Sequence, residues 1–211
     1  MRAAIALFAS LAFLSLAAVS VTPPALPRVP QTHLSVTDIY THPFEIDFPY
    51  DQKLSIDLRA GDYKIVGGAG EKISVRSTGD HAEKGREVSL SFKHFGNHGE
   101  LRTTGGPVKD GPSILIEVPK ATNLTVRLSF GDLNIEGVSG DKDVELHAGD
   151  LDIEVGAAAD YAHVDASVGA GDLSAGPFGE TKDGLFRSFE KSGTGRYKLH
   201  AHVGAGDLNL R

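Results

Sequence analysis

A glycine followed by an aspartate and an apolar or aromatic residue recurs along the chain. It reads RAGDYKI from Arg59, SFGDLNI from Ser129, HAGDLDI from His147, and VGAGDL at both Val168–Leu173 and Val203–Leu208. Apolar and polar residues alternate on either side: Val144, Leu146 and Ala148 precede one copy, and Leu151, Ile153 and Val155 follow it. Period two over short runs marks strands with one buried face. Glycine takes positive φ without steric cost, and aspartate accepts a hydrogen bond from a nearby backbone amide. The pair therefore reads as a corner between strands. Asp62, Asp132, Asp150, Asp172 and Asp207 are expected to be structural turn residues, each accepting from the amide two residues on.

The same alternation runs through Leu54, Ile56 and Leu58, through Val88, Leu90 and Phe92, and through Ile114, Ile116 and Val118. No run of ten or more residues has a helical period beyond the amino-terminal stretch, so the fold class is all-β. The aspartates at 132, 150, 172 and 207 are spaced by 18, 22 and 35 residues, and the first two spacings suit a solenoid rung. Units stacked in this way bury a column that none buries alone. The expected architecture is a β-solenoid or β-roll, with a β-sandwich as the alternative. The clearest repeats span 114–211, interrupted between the last two by an insertion at Gly176–Arg196.

The run ILIEVPKATNLTVRLSFGDLNIEGVSGDKDVELHAGDLDIEV, Ile114–Val155, resembles the bacterial putative-adhesin family of β-strand-repeat domains of unknown function. Members open on a VP-(K/A)-x-x-(N/L) pattern followed by repeated G-D-(L/I/V)-x-(I/V/L) units. The likeness extends to Arg211 and, through Ala60-Gly61-Asp62, weakly to Leu54–Gly68. It implies an exported β-solenoid or β-roll with an adhesin-like role. The extra residues between the last two repeats depart from the family pattern.

The sequence opens MRAAIALFASLAFLSLAAVSVTPP, with Arg2, an uncharged stretch from Ala3 to Val19 and small residues at Ala18 and Ser20. This reads as a signal peptide over 1–20. The uncharged stretch is short for the roughly 20 apolar residues of a membrane span, and no later segment is apolar enough to cross. The expected location is the periplasm, cell surface or medium. Residues 21–43 hold five of the ten prolines and read as a linker or irregular lead-in, leaving 44–211 as one domain. The formal charge of −7 argues against a nucleic-acid partner. The absence of cysteine removes a lipoprotein anchor, a CxxC redox pair and a thiolate zinc site.

When the last three copies are aligned on their aspartate, Asp143, Asp165 and His200 fall in one outward column. Glu145, Ser167 and His202 fall in another. Two carboxylates with an imidazole suit a metal ion, so Asp143, Asp165, His200 and His202 are candidate ligands. The plainer reading is a solvated face. The turn aspartates would themselves form a ladder near the ~4.8 Å strand spacing. Calcium favours such oxygen donors, yet the calcium-binding nonapeptide G-G-x-G-x-D-x-U-x is missing. His94 and His98 sit in FKHFGNH, expected to be a loop. Phe178, Leu185, Phe186 and Phe189 in the insertion could plug the end of the stack or form a binding lip. Ser188-Phe-Glu-Lys191 matches S-x-x-K, but in all-β surroundings, where the match is coincidental.

No G-x-S-x-G, H-E-x-x-H or Walker motif occurs, and no catalytic residue is assigned. The favoured reading is a non-enzymatic exported surface or scaffold module that recognises an envelope protein or glycan. One alternative is a carbohydrate-active β-helix enzyme, with Asp165, Asp172 and His200 the residues to test. The other is a divalent-cation-binding module. The sequence ends in GDLNLR, so its last strand is expected to be an edge open to self-association.

Overall fold

The computed structural model describes residues 31–107, 111–182 and 184–211. The expected signal peptide over 1–20 and residues 21–30 of the expected lead-in lie outside them. The strands are β1 (Gln31–Thr37), β2 (Phe44–Asp47), β3 (Lys53–Ala60), β4 (Asp62–Gly68), β5 (Lys72–Ser77), β6 (Val88–Phe95), β7 (His98–Gly105), β8 (Ser113–Pro119) and β9 (Asn123–Phe130). They continue as β10 (Leu133–Glu136), β11 (Lys142–Ala148), β12 (Leu151–Ile153), β13 (Tyr161–Ala170), β14 (Leu173–Ala175), β15 (Glu180–Lys182), β16 (Leu185–Ser192), β17 (Tyr197–Ala205) and β18 (Leu208–Leu210). Among the described residues the helical turns are short 3-10 segments, and no helix is long and apolar enough to cross a membrane.

The strands form two nine-stranded mixed sheets. The first has the order β1-β6-β7-β3-β9-β11-β17-β13-β16, and the second β15-β14-β18-β12-β10-β4-β8-β5-β2. The five Gly-Asp pairs at 61–62, 131–132, 149–150, 171–172 and 206–207 pass the chain from the first sheet to the second, joining β3 to β4, β9 to β10, β11 to β12, β13 to β14 and β17 to β18. The five resulting rungs are mutually parallel in both sheets. Their inward residues align in columns. One runs Ile56, Val126, Val144, Ala201 and Ala166 through the first sheet; another runs Tyr63, Leu133, Leu151, Leu208 and Leu173 through the second. All ten are buried in one continuous cluster, and each large aliphatic contributes roughly 1.5–3 kcal/mol by leaving water.

The rungs do not stack in chain order. β17 and β18 lie between the β11–β12 and β13–β14 rungs, so Asp207 follows Asp150 in space and Asp172 comes last. The insertion is the cause. It contributes β15, antiparallel to β14, and β16, antiparallel to β13, which cover the outer side of that rung before the chain returns to the slot left inside it. The final strand is therefore interior. The outermost strands are β1 and β16 in one sheet and β2 and β15 in the other. Part of the expected irregular lead-in is also ordered: β1 pairs with β6 over seven positions.

Candidate functional site on the outer sheet face

The corners hold five of the conspicuous aspartates, Asp62, Asp132, Asp150, Asp172 and Asp207. Gly61, Gly131, Gly149, Gly206 and Gly171 have φ between 114° and 147°, a region that other residues rarely adopt. They also pack on one another: a Cβ at Gly149 would lie 2.0 Å from the Gly131 carbonyl oxygen, and one at Gly206 2.0 Å from that of Gly149. Asp132 Oδ1 accepts the Asp150 backbone amide at 3.2 Å, Asp150 Oδ1 accepts that of Asp207 at 3.0 Å, and Asp207 Oδ1 accepts that of Asp172 at 2.9 Å. The expected bond to the amide two residues on is replaced by a bond to the next rung. The amides of the apolar residues that follow are also used between rungs, Leu133 donating to Asp150 O and Leu151 to Asp207 O. These carboxylates are stitches between rungs.

The outward residues of the first sheet are placed by strand parity. Register sets Asp143 opposite His200 and His200 opposite Asp165; in the next row Glu145 faces His202, which faces Ser167. Both columns read from the sequence are thus assembled, with the histidines on the middle strand. His200 Nδ1 lies 3.2 Å from Asp165 Oδ2, and His202 Nδ1 lies 2.9 Å from Ser167 Oγ. Of the four expected ligands, His202 is engaged by Ser167. The group whose donor atoms converge is Asp143, Glu145 and His200, within 4.8 Å of one another. Glu145 was legible as a column member but not as a ligand.

Arg127 on β9 is the residue that sequence reasoning missed. Its guanidinium reaches Asp143 Oδ2 at 3.0 Å and, through Nε, Glu145 Oε2 at 3.0 Å. The signal was available, since Arg127 sits at the outward parity opposite Glu145. One row across five strands therefore reads Arg102, Asp57, Arg127, Glu145, His202, with Arg102 Nε 3.0 Å from Asp57 Oδ2. Beside it an open depression of about 440 Å³ is lined in part by Asp57, Arg127, Phe130, Glu145, His147 and His202. The Phe130 ring is 49% exposed and stands edge-on to His147, with centroids 5.8 Å apart.

Lys142 is the second omission. It occupies an inward position two residues before Val144 and is 2% exposed, aligned with Leu124 and Leu199. Its Nζ donates to Gly140 O and to the Tyr161 hydroxyl, each at 3.1 Å. Burial lowers the ammonium pKa to about 8, and burial raises the Tyr161 phenol to about 12.

The remaining candidates disperse. Asp172 lies at a corner, seven residues along β13 and its turn from Asp165, or roughly 23 Å of extended chain; the set Asp165, Asp172 and His200 is not brought together. His94 and His98 lie on strands β6 and β7 rather than in a loop, and they face different partners, Gln52 and Ser55. Ser188 and Lys191 are three apart on β16, so they point to opposite faces. The insertion's aromatics divide: Phe178 and Phe189 are buried with rings 5.7 Å apart, while Leu185 and Phe186 are exposed.

No family model matches the chain, and no curated protein matches its sequence. The resemblance to the β-strand-repeat family thus gains no support from either. Among solved structures, a putative cell adhesion protein from Clostridium sporogenes is similar at 13% identity and a TM-score of 0.43, over 87% of this chain and 99% of that one.

Proposed function

We propose that the protein is a non-enzymatic, exported module of the bacterial envelope. In this reading the five Gly-Asp-cornered rungs are a β-solenoid scaffold, and the outer face of the first sheet recognises an envelope protein or glycan by adhesion-type contact. One observation carries the reading: the two sets of acidic residues are used differently. Three of the five corner carboxylates, those of Asp132, Asp150 and Asp207, are spent on backbone amides of adjacent rungs. The outer row of Arg102, Asp57, Arg127, Glu145 and His202 is instead held side chain to side chain. Such exposed pairs contribute under about 1 kcal/mol each, so they can exchange partners with a ligand at small cost. The adjoining depression adds the exposed Phe130 ring, a surface on which a sugar or an aromatic side chain can stack.

The test is retention of the purified protein on fractionated bacterial envelope, with glycan and protein fractions assayed separately. Reversing the row with Arg102→Glu and Arg127→Glu together should abolish retention. Lys64→Glu, on the other sheet and paired there with Glu136, should leave it intact. Equal retention by both variants would end this reading, and depolymerisation of a glycan fraction by the wild type would replace it with an enzymatic one.

A further inference from the structure

Two carboxylates and one imidazole converge on the outer face from β11 and β17, and a third carboxylate, Asp165 on β13, lies behind the imidazole. We propose that Asp143, Glu145 and His200 bind a divalent transition-metal ion of the zinc class, with Asp165 and Arg127 setting its geometry and affinity. The site shares Arg127 and Glu145 with the row assigned to recognition, but its test reads metal uptake and not retention on the envelope.

The first support is convergence. One donor atom from each of the three residues lies within 4.8 Å of the others. They are delivered by adjacent parallel strands in fixed register, Asp143 opposite His200 and Glu145 two residues on along the same face. A ladder of backbone hydrogen bonds holds that spacing more rigidly than a loop would.

The second support is how His200 is oriented. Asp165 approaches it from β13, on the side away from Asp143, and its carboxylate can only accept the hydrogen bond from Nδ1 at 3.2 Å. The proton is thereby held on Nδ1, and Nε2 keeps its lone pair for a cation. A carboxylate behind a ligating imidazole is what fixes the tautomer in metal sites generally.

Charge is the third. Asp143, Glu145 and Asp165 surround the imidazole, and Arg127 is the cation paired with the first two. The guanidinium contacts both Asp143 oxygens, at 3.0 and 3.4 Å, and one Glu145 oxygen. A bound ion has to displace it from Asp143, so Arg127 lowers metal affinity and its removal raises it. An imidazole within the donor set selects zinc, nickel or copper over calcium and magnesium, which favour oxygen alone. The corner aspartates offer only oxygens, and those of Asp132, Asp150 and Asp207 are engaged by amides.

Tag-free protein titrated calorimetrically with zinc chloride should take up one ion per chain. Cobalt(II) in place of zinc should give the visible absorption of a protein-bound ion. His200→Ala and Glu145→Gln should each weaken zinc binding at least about tenfold, and Asp165→Asn by about ten- to a hundredfold with an altered cobalt spectrum. Arg127→Gln should strengthen it. His94→Ala, on the far side of the same sheet, should change nothing. Thermal unfolding of every variant separates lost ligands from lost fold. The proposal is overturned by the absence of saturable zinc uptake, by uptake that survives His200→Ala and Glu145→Gln, or by a preference for calcium.

Discussion

At the corners, Asp132, Asp150 and Asp207 each hold the main-chain amide of the next rung. On the outer face of the first sheet, Asp143, Glu145 and Asp165 are paired with the side chains of Arg127 and His200. Both groups are acidic and both repeat with the strand spacing, yet they act differently. A backbone amide in a strand ladder cannot swing aside, so a carboxylate bound to it serves geometry. A carboxylate bound to another side chain can trade that partner for a ligand. Binding is to be sought where the partners are movable.

The sharpest way to break this contrast is to attack the corner backbone. Gly149→Ala places a Cβ 2.0 Å from the Gly131 carbonyl oxygen at φ 133°. Strain and overpacking together should cost about 4 kcal/mol, read from denaturant unfolding. A loss below about 1 kcal/mol would show the corners to be pliable and the contrast empty.

Lys142 supplies the limiting case of a charge placed in the core. Its pKa of about 8 in the folded chain lies below its ordinary 10.5. Between those values the unfolded chain holds more protons, so stability rises with pH there. The gain from pH 8 to pH 10 should be about 2 kcal/mol, absent below pH 8 and largely lost in Lys142→Met. Tyr161, raised to about 12, acts with the opposite sign above pH 10, where the folded chain holds the extra proton. A flat profile in the wild type would overturn the assignment.

Smaller effects sharpen the comparison within the carboxylates. Asp150→Ala leaves the Asp207 amide without its acceptor and should cost about 1–2 kcal/mol, whereas Asp150→Asn keeps the carbonyl oxygen and should recover most of it. Asp143→Ala, on the outer face, should cost below about 1 kcal/mol. Unfolding curves that rank Asp143→Ala above Asp150→Ala would invert the roles assigned to the two columns.

The strands and corners were legible because alternation and Gly-Asp punctuation are local signals. The columns of Asp143 with His200 and Glu145 with His202 were legible for the same reason: the corner fixes parity, and parity fixes which residues share a row. Rung order was not. Spacings of 18, 22 and 35 residues state how far apart the corners lie in sequence but not which gap a returning chain will fill. That choice was made by β15 and β16, whose pairing partners lie on a strand edge that no local pattern identifies. Lys142 escaped because a charged residue at an inward position breaks the alternation, and Arg127 because it fits the alternation as an ordinary outward residue. Its place opposite Glu145 follows from parity, but its ion pairs appear only in the assembled sheet.

The segment Tyr197–Leu210 slides between two rungs laid down before it, pairing on one side with residues 57 positions earlier and on the other with residues 35 positions earlier. Assembly therefore cannot proceed as a simple winding from one end to the other. A molecule deprived of this segment would present two raw parallel edges of matching register, and the same segment donated by a neighbour would seal them, joining the two chains through an exchanged part.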